Sequence, residues 1–357
     1  MTAKEYPVIP LFETFIKDSL KGKRLKADGS RIKRQTIHNY SYVLGYLTEF
    51  EEYTKTKLRV KVFRSQSTRA FKAEIKYWKT FYRQFTQFLY SKKKCFDNYV
   101  GSVMKNIRAF FNYLNREMGI KTGDHYKSFY VNKEDVPIVT LLPEQLQFLI
   151  NDGSFNNRLS GSLMKAKNIF IFGCTVALRV SDLFALKFTD MEKVGGAWYL
   201  PVKTQKTGSI VRIKLPAYAM TIIETFRAAS GKRVTIFPPI PRYRFNNQLK
   251  EISCLAGWTS CVGKQRKKRG VKHELTLSNR NHQYRFCDLV SSHTMRRTAI
   301  TTMLMLGMKE HVVKQISGHS GDSKSFYRYI NLVQSYLDND MDIVFQKLSD
   351  DQQRKIA

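Results

Sequence analysis

The chain is poor in acidic residues and has no long apolar run. Only 29 of its 357 residues are Asp or Glu, against 61 Lys or Arg, so the formal net charge is +32. Self-repulsion of this size is costly without a polyanionic partner, which makes nucleic acid the first candidate and a membrane surface the second. The longest strongly apolar stretch, Ile169–Leu178, has about half of the roughly 20 residues that a membrane-spanning helix needs. The charge therefore points to nucleic acid.

Cysteine is also scarce, and its spacing does not fit a disulfide framework. The odd number of five and the absence of a C-x-x-C pair predict a reduced, intracellular protein. Cys254, Cys261 and His282 are too far apart in sequence for a typical zinc site. The sequence shows no P-loop motif and no cage of carboxylates, so we expect neither a metal nor ATP as a cofactor. The N-terminus lacks the basic and apolar regions of an export signal.

The apolar residues that are present predict a helical N-terminal domain. Hydrophobic residues make up 43% of the chain, enough for a core, and the length favours two domains. Three runs of apolar residues at helical spacing lie within residues 1–120, at Ile37–Phe50, Trp78–Phe88 and Val100–Leu114. Lys and Arg side chains alternate with these aromatic stripes, and such a bundle would suit one side of a DNA duplex.

Residues 121–139 read as a linker, and residues 140–336 as a second domain of mixed α/β type. Leu142-Pro143-Glu144 is typical of a helix start, and a buried helix is expected near 168–178. Two alternating segments, Trp198–Val202 and Ile210–Leu215, predict a small sheet around a polar turn. The fold class is therefore mainly α with a small β-sheet.

Residues 262–285 form a very basic insert, which we expect to be a loop. Solvated surface charge and contact with DNA phosphates are about equally good explanations of it. The candidates for phosphate contacts are Lys264, Arg266, Lys267, Lys268 and Arg269.

Four short motifs in the second domain bring together groups suited to one chemistry. Arg179 follows the buried helix, with Asp182 three residues later, and a lysine lies in the polar turn at Lys203 or Lys206. His293 and Arg296 share a helix face at a spacing of three, which places a proton carrier beside a planar phosphate-binding fork. Taken singly, each has an ordinary structural explanation, such as a surface ion pair or a polar turn.

The fourth motif combines a displayed histidine with a tyrosine-bearing segment. Gly318 permits a tight turn that exposes His319, and Tyr327 and Tyr329 follow in Ser325–Ile330. A tyrosine about ten residues after the histidine can return to the same site.

In this order the motifs resemble those of the tyrosine recombinase (phage integrase) family. Their residues are similar in particular to those of integrases from transposons and other mobile elements. The resemblance covers nearly the whole chain. It implies a helical, SAM-like domain that binds core DNA and a mixed α/β catalytic domain. It also implies a site-specific recombinase that cleaves and rejoins double-stranded DNA through a 3′-phosphotyrosyl link, without metal or ATP. The implied assembly is a homo-tetramer on two DNA sites, located in the cytoplasm with the nucleoid, and DNA-bending accessory proteins are a further partner class.

The resemblance also implies residue roles. Arg179 and Arg296 match the family's arginines, which would clamp the phosphate oxygens, and His319 matches a further donor. His293 would accept the proton of the nucleophile, and Lys206, with Lys203 as runner-up, would protonate the leaving 5′-oxygen. An ordinary tyrosine ionises near pH 10, so the nucleophile needs such help.

The nucleophile is assigned to Tyr329 rather than Tyr327, because Ser325–Ile330 matches the family's Ser-Phe-x-Lys/Arg-Tyr-Ile. Asp182 is expected to support the arginines. Arg297 is expected to point away from the site and to serve structure or the DNA backbone. The sequence departs from the family's pattern at two places: Val176-Ala177 replaces the usual Thr-Gly, and Met295 replaces the usual Leu.

Residues 337–357 are expected to form a tail helix that docks on a neighbouring subunit or packs on its own domain. Its apolar residues follow helical spacing at Met341, Val344, Phe345 and Leu348. Two alternatives to recombination stay open, namely a DNA-binding architectural or regulatory protein without catalysis and a type IB topoisomerase-like enzyme.

Overall fold

The structure is a computed structural model that describes residues 4–62, 68–131, 133–203, 210–277, 282–319, 326–334, 336–338, 341 and 345. The helices in this part of the chain are α1 (Val8–Leu20), α2 (Arg34–Thr54), α3 (Thr68–Ser91), α4 (Asp97–Arg116), α5 (Pro143–Asn151), α6 (Gly153–Asn156), α7 (Gly161–Val176), α8 (Val180–Ala185), α9 (Ala217–Ala228), α10 (Arg242–Leu255), α11 (Phe286–Leu289), α12 (Ser292–Met305), α13 (Glu310–Ser317) and α14 (326–334). The strands are β1 (Lys4–Pro7), β2 (Arg59–Val62), β3 (Glu192–Val194), β4 (Ala197–Lys203), β5 (Ile210–Leu215), β6 (Gln265–Lys268), β7 (Val271–Glu274), β8 (Thr276–Leu277) and β9 (His282–Gln283). The predicted fold class is confirmed.

The chain divides into two compact units, of which the first comprises Met1–Val136 and Gln265–Leu275. The three predicted helices of this unit are α2, α3 and α4, which with α1 enclose a core rich in aromatic rings. Among its fully buried side chains are Phe12, Phe15, Trp78, Phe85, Phe110 and Phe111. Tyr126 and Phe129, which the sequence analysis assigned to the linker, are also buried in this core. The linker therefore begins later in the structure than in the sequence analysis.

The basic insert contains a β-hairpin, so the expectation of a loop is wrong for residues 265–274. Strands β6 and β7 pair antiparallel, with Lys267 opposite Lys272, around a two-residue turn. The turn residues Arg269 and Gly270 both have positive φ, 55° and 78°, as the tight turns that suit twisted hairpins require. Although it lies far along the sequence, the hairpin folds with the N-terminal unit.

Asp97, at the start of α4, holds the turn of the hairpin. Its carboxylate accepts hydrogen bonds from the backbone N–H of Arg269 at 2.7 Å and of Gly270 at 2.9 Å, and from the Tyr90 hydroxyl at 2.7 Å. Burial acts to raise the pKa of Asp97, but these hydrogen bonds and the charge of Lys267 outweigh it and hold the pKa below its ordinary value. Glu134 adds a second anchor, since it accepts from the backbone N–H of Lys267 at 2.5 Å. The hairpin is thus bound through its backbone by two carboxylates.

We expect the Asp97→Asn variant to release the hairpin, because the amide replaces a charged acceptor of three hydrogen bonds. The amide oxygen still accepts, but hydrogen bonds to a neutral acceptor are weaker than those to a carboxylate, and the summed loss should be about 1.5–3 kcal/mol, so local opening should become about 10–100-fold more frequent. Trypsin cleavage within residues 265–274 measures this opening, and Asp124→Asn, which removes an exposed carboxylate of the same unit, is the matched control. Equal cleavage rates in the two variants would contradict the anchoring role.

The same contact depends on pH in a defined direction. Because the pKa of Asp97 is lowered in the folded protein, its stabilisation is present above the ordinary value of 3.8 and is lost as the pH falls through the lowered value. The Asp97→Asn variant should not show this loss.

The second unit comprises Pro137–Lys264 and Thr276–Ala357, and its core surrounds α7. The predicted small sheet is present as three antiparallel strands in the order β3-β4-β5. Pro143 begins α5 as predicted, and the side chain of Gln145 accepts a hydrogen bond from the Leu142 N–H at 2.9 Å. Most of the predicted tail helix, 337–357, lies outside the described residues. No helix in the described part of the chain is long and apolar enough to span a membrane.

Candidate active site

The turn between α7 and α8 carries Arg179. Helix α7 ends at Val176, and Ala177 adopts the left-handed conformation with φ of 54°. Glycine is the residue that takes this conformation without cost, so the departure at Ala177 places mild strain at the turn, on the order of 1 kcal/mol. Arg179 is the N-cap residue that precedes α8, and its Nη1 is buried without a hydrogen-bond partner among the described residues. A buried guanidinium nitrogen of this kind is suited to an anion.

Helix α12 packs closely on α7 and thereby brings its own arginine to the same place. Gly173 of α7 lies so near Met295 of α12 that a Cβ at position 173 would be 2.4 Å from the Met295 Sδ. One residue beyond Met295, Arg296 is only 3% exposed. Its Nη1 donates to the carbonyl of Ala177 at 2.6 Å, and its Nη2 donates to the carbonyl of Ser317 at 2.5 Å. Arg296 therefore links the α7–α8 turn to the end of α13.

Arg179 and Arg296 carry like charges that repel each other in a site partly shielded from solvent. Burial and the charge of Arg179 lower the pKa of Arg296, and Tyr329 and Asp182 act in the opposite sense, with a net value of about 10. Asp182 is buried at the start of α8. Two neighbouring guanidinium groups with few compensating charges form a site that favours an anion.

His293 lies one turn before Arg296 on α12. Although His293 keeps an exposed surface, its partial burial and the charges of Arg297, Arg296, Arg242 and Arg179 together lower its pKa to about 4. At neutral pH the imidazole is therefore uncharged and is able to accept a proton.

His319 and Tyr329 lie close to each other, and Tyr329 also interacts with the charge of Arg296. Gly318, with φ of 61°, ends α13 and turns the chain so that His319 Nδ1 lies 2.7 Å from the Ser317 hydroxyl. The rings of His319 and Tyr329 are 6.0 Å apart, and Tyr329 is 7% exposed in a cluster with Phe326. Tyr327 is 49% exposed and has the Lys314 ammonium 5.0 Å from its ring centroid. Tyr329, and not Tyr327, is thus the tyrosine that neighbours the arginines.

Arg297 also influences this group through its charge. After burial, its charge is the largest cause of the lowered pKa of His293, and the charge of Tyr329 in turn acts to raise the pKa of Arg297. His293 and Arg297 are four residues apart and therefore lie on the same side of α12. This proximity could have been inferred from the sequence. Ser317, which contacts His319, carries no such signal in the sequence.

The remaining candidates lie in other places. Lys206 lies outside the described residues, and Lys203 is described only through its backbone in β4. In the hairpin, Arg266 pairs with Glu134 at 3.8 Å, and Arg269 contacts Gln87 and the ring of Tyr90. The exposed hairpin positions include Lys267.

Lys264 belongs to the second unit, with its ammonium 4.6 Å from the ring centroid of Tyr284. Within the described part of the chain no group of His, Cys, Asp and Glu residues is arranged to hold a metal ion.

Comparison with known proteins identifies the family of this chain. The family model described as "Phage integrase family" matches residues 156–335, about half of the chain. The chain therefore belongs to the phage integrase family, and it is a tyrosine-type site-specific recombinase. A sequence comparison with curated proteins finds no match.

Three solved structures show the same fold at low identity. A XerH site-specific recombinase bound to its palindromic difH substrate is 13% identical with a TM-score of 0.57, covering 94% of this chain and 95% of that one. A lambda integrase tetramer bound to a Holliday junction is 15% identical with a TM-score of 0.54, covering 91% and 78%. The Tn1549 transposon integrase in complex with transposon right end DNA is 12% identical with a TM-score of 0.50, covering 91% and 94%.

Proposed function

We propose that Tyr329 is the nucleophile of DNA strand cleavage in this site. The observation that carries the proposal is the position of a nearly buried tyrosine beside His319, within the field of Arg296 and Arg297. A phosphodiester bound between the arginines would lie next to the phenol. Preorganised cations of this kind stabilise charge that develops on the phosphate oxygens, and each such donor contributes about 10²–10³-fold in rate.

The proposed step balances without an external co-reactant. The Tyr329 oxygen loses its proton to His293 and forms a bond to phosphorus, and the bond from phosphorus to the 5′-oxygen breaks. That oxygen takes a proton from a general acid, assigned to Lys206 with Lys203 as the alternative. The products are a 3′-phosphotyrosyl link and a free 5′-hydroxyl, and attack of a 5′-hydroxyl on the link reverses the step. Asp182 supports the pair of arginines through its negative charge.

The partner that the site and the charge favour is double-stranded DNA. Of the hairpin candidates, Lys267 and Lys268 are the better phosphate ligands, because Arg266 and Arg269 are engaged within the N-terminal unit. Two lysines directly opposite on neighbouring strands, Lys267 and Lys272, repel each other, and a phosphate backbone would relieve this repulsion. Lys264 contributes on the other unit. The lambda integrase tetramer on a Holliday junction supports a homo-tetramer on two DNA sites for this chain.

Strand exchange between two duplexes tests this function. Duplexes that the protein binds would first be recovered from a random-sequence pool, and two of them, differently labelled, would then be incubated with the full chain. We expect recombinant products whose formation needs both duplexes. Binding without any strand cleavage would favour an architectural protein. Relaxation of supercoiled DNA that lacks the bound sequence, without exchange, would favour a topoisomerase-like enzyme.

A further inference from the structure

The first turn of α12 is held by a side chain of α10. The backbone N–H of Ser292, the first residue of α12, donates to the Oδ1 of Asn246 at 2.8 Å. An N–H in the first turn of a helix has no acceptor within that helix, and a buried N–H without any partner is costly. Ser292 is only 1% exposed, so water has little access to this group. Asn246 therefore caps α12 from a neighbouring helix.

Two further hydrogen bonds at the start of α12 are local. The Ser291 N–H donates to Thr294 Oγ1 at 3.0 Å, and the Thr294 N–H donates to the carbonyl of Ser291 at 2.8 Å. These bonds fix the internal shape of the turn, but they do not fix where the turn lies in the domain. The bond to Asn246, 46 residues earlier in the chain, ties the turn to another element.

The residue that follows Ser292 is His293, the proton acceptor of the proposed cleavage step. Arg296, one turn later, is buried, and its two bonds to backbone carbonyls fix its position. His293 keeps an exposed surface, so its place depends more on the backbone that carries it. A displacement of the first turn would therefore move the imidazole more than the guanidinium of Arg296.

We propose that Asn246 is a positioning residue for strand cleavage: it fixes the first turn of α12 and thereby holds His293 where the imidazole receives the proton of Tyr329. This inference rests on the proposed function, in which His293 is that acceptor. Proton transfer needs its two atoms within hydrogen-bond distance, and a displacement of about 1 Å can cost on the order of 10²-fold in rate. Asn246 acts through the backbone of Ser292 and not by contact with the reacting atoms.

The Asn246→Ala variant tests this role, and Asn247→Ala is the matched control, because Asn247 is the next residue of α10 and is exposed. The probe is a duplex recovered by binding from a random-sequence pool, nicked near the bound site so that the cleaved strand end diffuses away. Single-turnover formation of the covalent complex at saturating DNA should fall about 10²-fold in Asn246→Ala and less than about twofold in Asn247→Ala. The dissociation constant for the duplex should change by less than about threefold in both variants.

Two other substitutions at the same position separate the acceptor from the rest of the side chain. Asn246→Asp keeps an oxygen that can accept from the Ser292 N–H, and negative charge is favourable at a helix N-terminus, so cleavage at pH 8 should stay within about fivefold of the unsubstituted protein. Asn246→Gln keeps the amide but places its oxygen one bond further along the side chain, and it should lose nearly as much cleavage as Asn246→Ala. These two variants carry the same comparison if Asn246→Ala does not fold.

A double-mutant cycle with His293→Gln distinguishes positioning of His293 from a general loss of structure. His293→Gln alone removes the proton acceptor and should lower cleavage about 10²–10⁴-fold. If Asn246 acts through His293, adding Asn246→Ala to His293→Gln should lower cleavage by less than about threefold more. A structural role without positioning would give the same fold loss in both backgrounds.

Three outcomes would overturn the inference and leave strand cleavage by Tyr329 standing. They are undiminished cleavage in Asn246→Ala, equal loss in Asn246→Ala and Asn246→Asp, and a further loss of about 10²-fold when Asn246→Ala is added to His293→Gln. If the unsubstituted protein forms no covalent complex, or if His293→Gln cleaves at the full rate, the proposed function itself fails.

Discussion

The Tyr329→Phe variant should form at least about 10³-fold less covalent DNA complex than the unsubstituted protein, because it lacks the attacking oxygen. The phenylalanine ring keeps the packing against Phe326 and His319, so the free energy of unfolding should change by no more than about 1 kcal/mol. The amount of complex that survives denaturing gel electrophoresis measures the first quantity, and a thermal melt measures the second.

Tyr327→Phe is the matched control, because it removes the same hydroxyl two residues away. Tyr327 is largely exposed and its ring lies under Lys314, so this variant should keep full cleavage. Loss of the complex in Tyr327→Phe, with Tyr329→Phe unaffected, would keep the enzyme class and reverse the assignment of the nucleophile.

Arg296→Lys is expected to have the second large effect, a fall in cleavage of at least about 10³-fold together with lower stability. A lysine has a single ammonium group, which cannot bond both carbonyls and also present a planar fork to phosphate. At least one of the carbonyls of Ala177 and Ser317 would lose its hydrogen-bond donor. A buried carbonyl left unsatisfied in this way costs about 1–3 kcal/mol of stability. Lysine keeps the positive charge, so the repulsion with Arg179 remains in this variant and does not offset the cost.

The matched control is Arg158→Lys, in which an exposed arginine also donates to a backbone carbonyl, that of Leu255 at 3.0 Å. Cleavage should be unchanged there, and stability should change by less than about 1 kcal/mol. A single-turnover cleavage assay and a denaturant titration distinguish the two variants. Wild-type cleavage in Arg296→Lys would contradict the phosphate-binding role of Arg296.

The sequence allowed the helical bundle and the order of the site motifs to be predicted, because both depend on local spacing. Apolar residues at helical intervals mark α2, α3 and α4, and each of the motifs around Arg179, His293 and His319 occupies a few consecutive residues. The confirmed fold class and family follow from these local patterns.

Features that depend on distant contacts were not predictable. The hairpin of residues 265–274 has polar residues on both faces, so it lacks the alternation that marks a strand, and its partner Asp97 lies about 170 residues earlier. Ala177 adopts a left-handed conformation that a glycine in the sequence would have indicated, whereas an alanine gives no such indication. The links from Arg296 to the carbonyls of Ala177 and Ser317 join three segments through tertiary packing, which local spacing on α12 does not reveal.

The most direct test of the account is to identify the amino acid that carries the DNA in the covalent complex. Trypsin cleaves after Lys324, Arg328 and Lys347, so Tyr327 and Tyr329 fall on different peptides, 325–328 and 329–347. After nuclease digestion, fragmentation by mass spectrometry should find a nucleotide 3′-phosphate on Tyr329. A nucleotide on Tyr327 or on Tyr336, or a DNA complex without any modified tyrosine, would contradict the central claim.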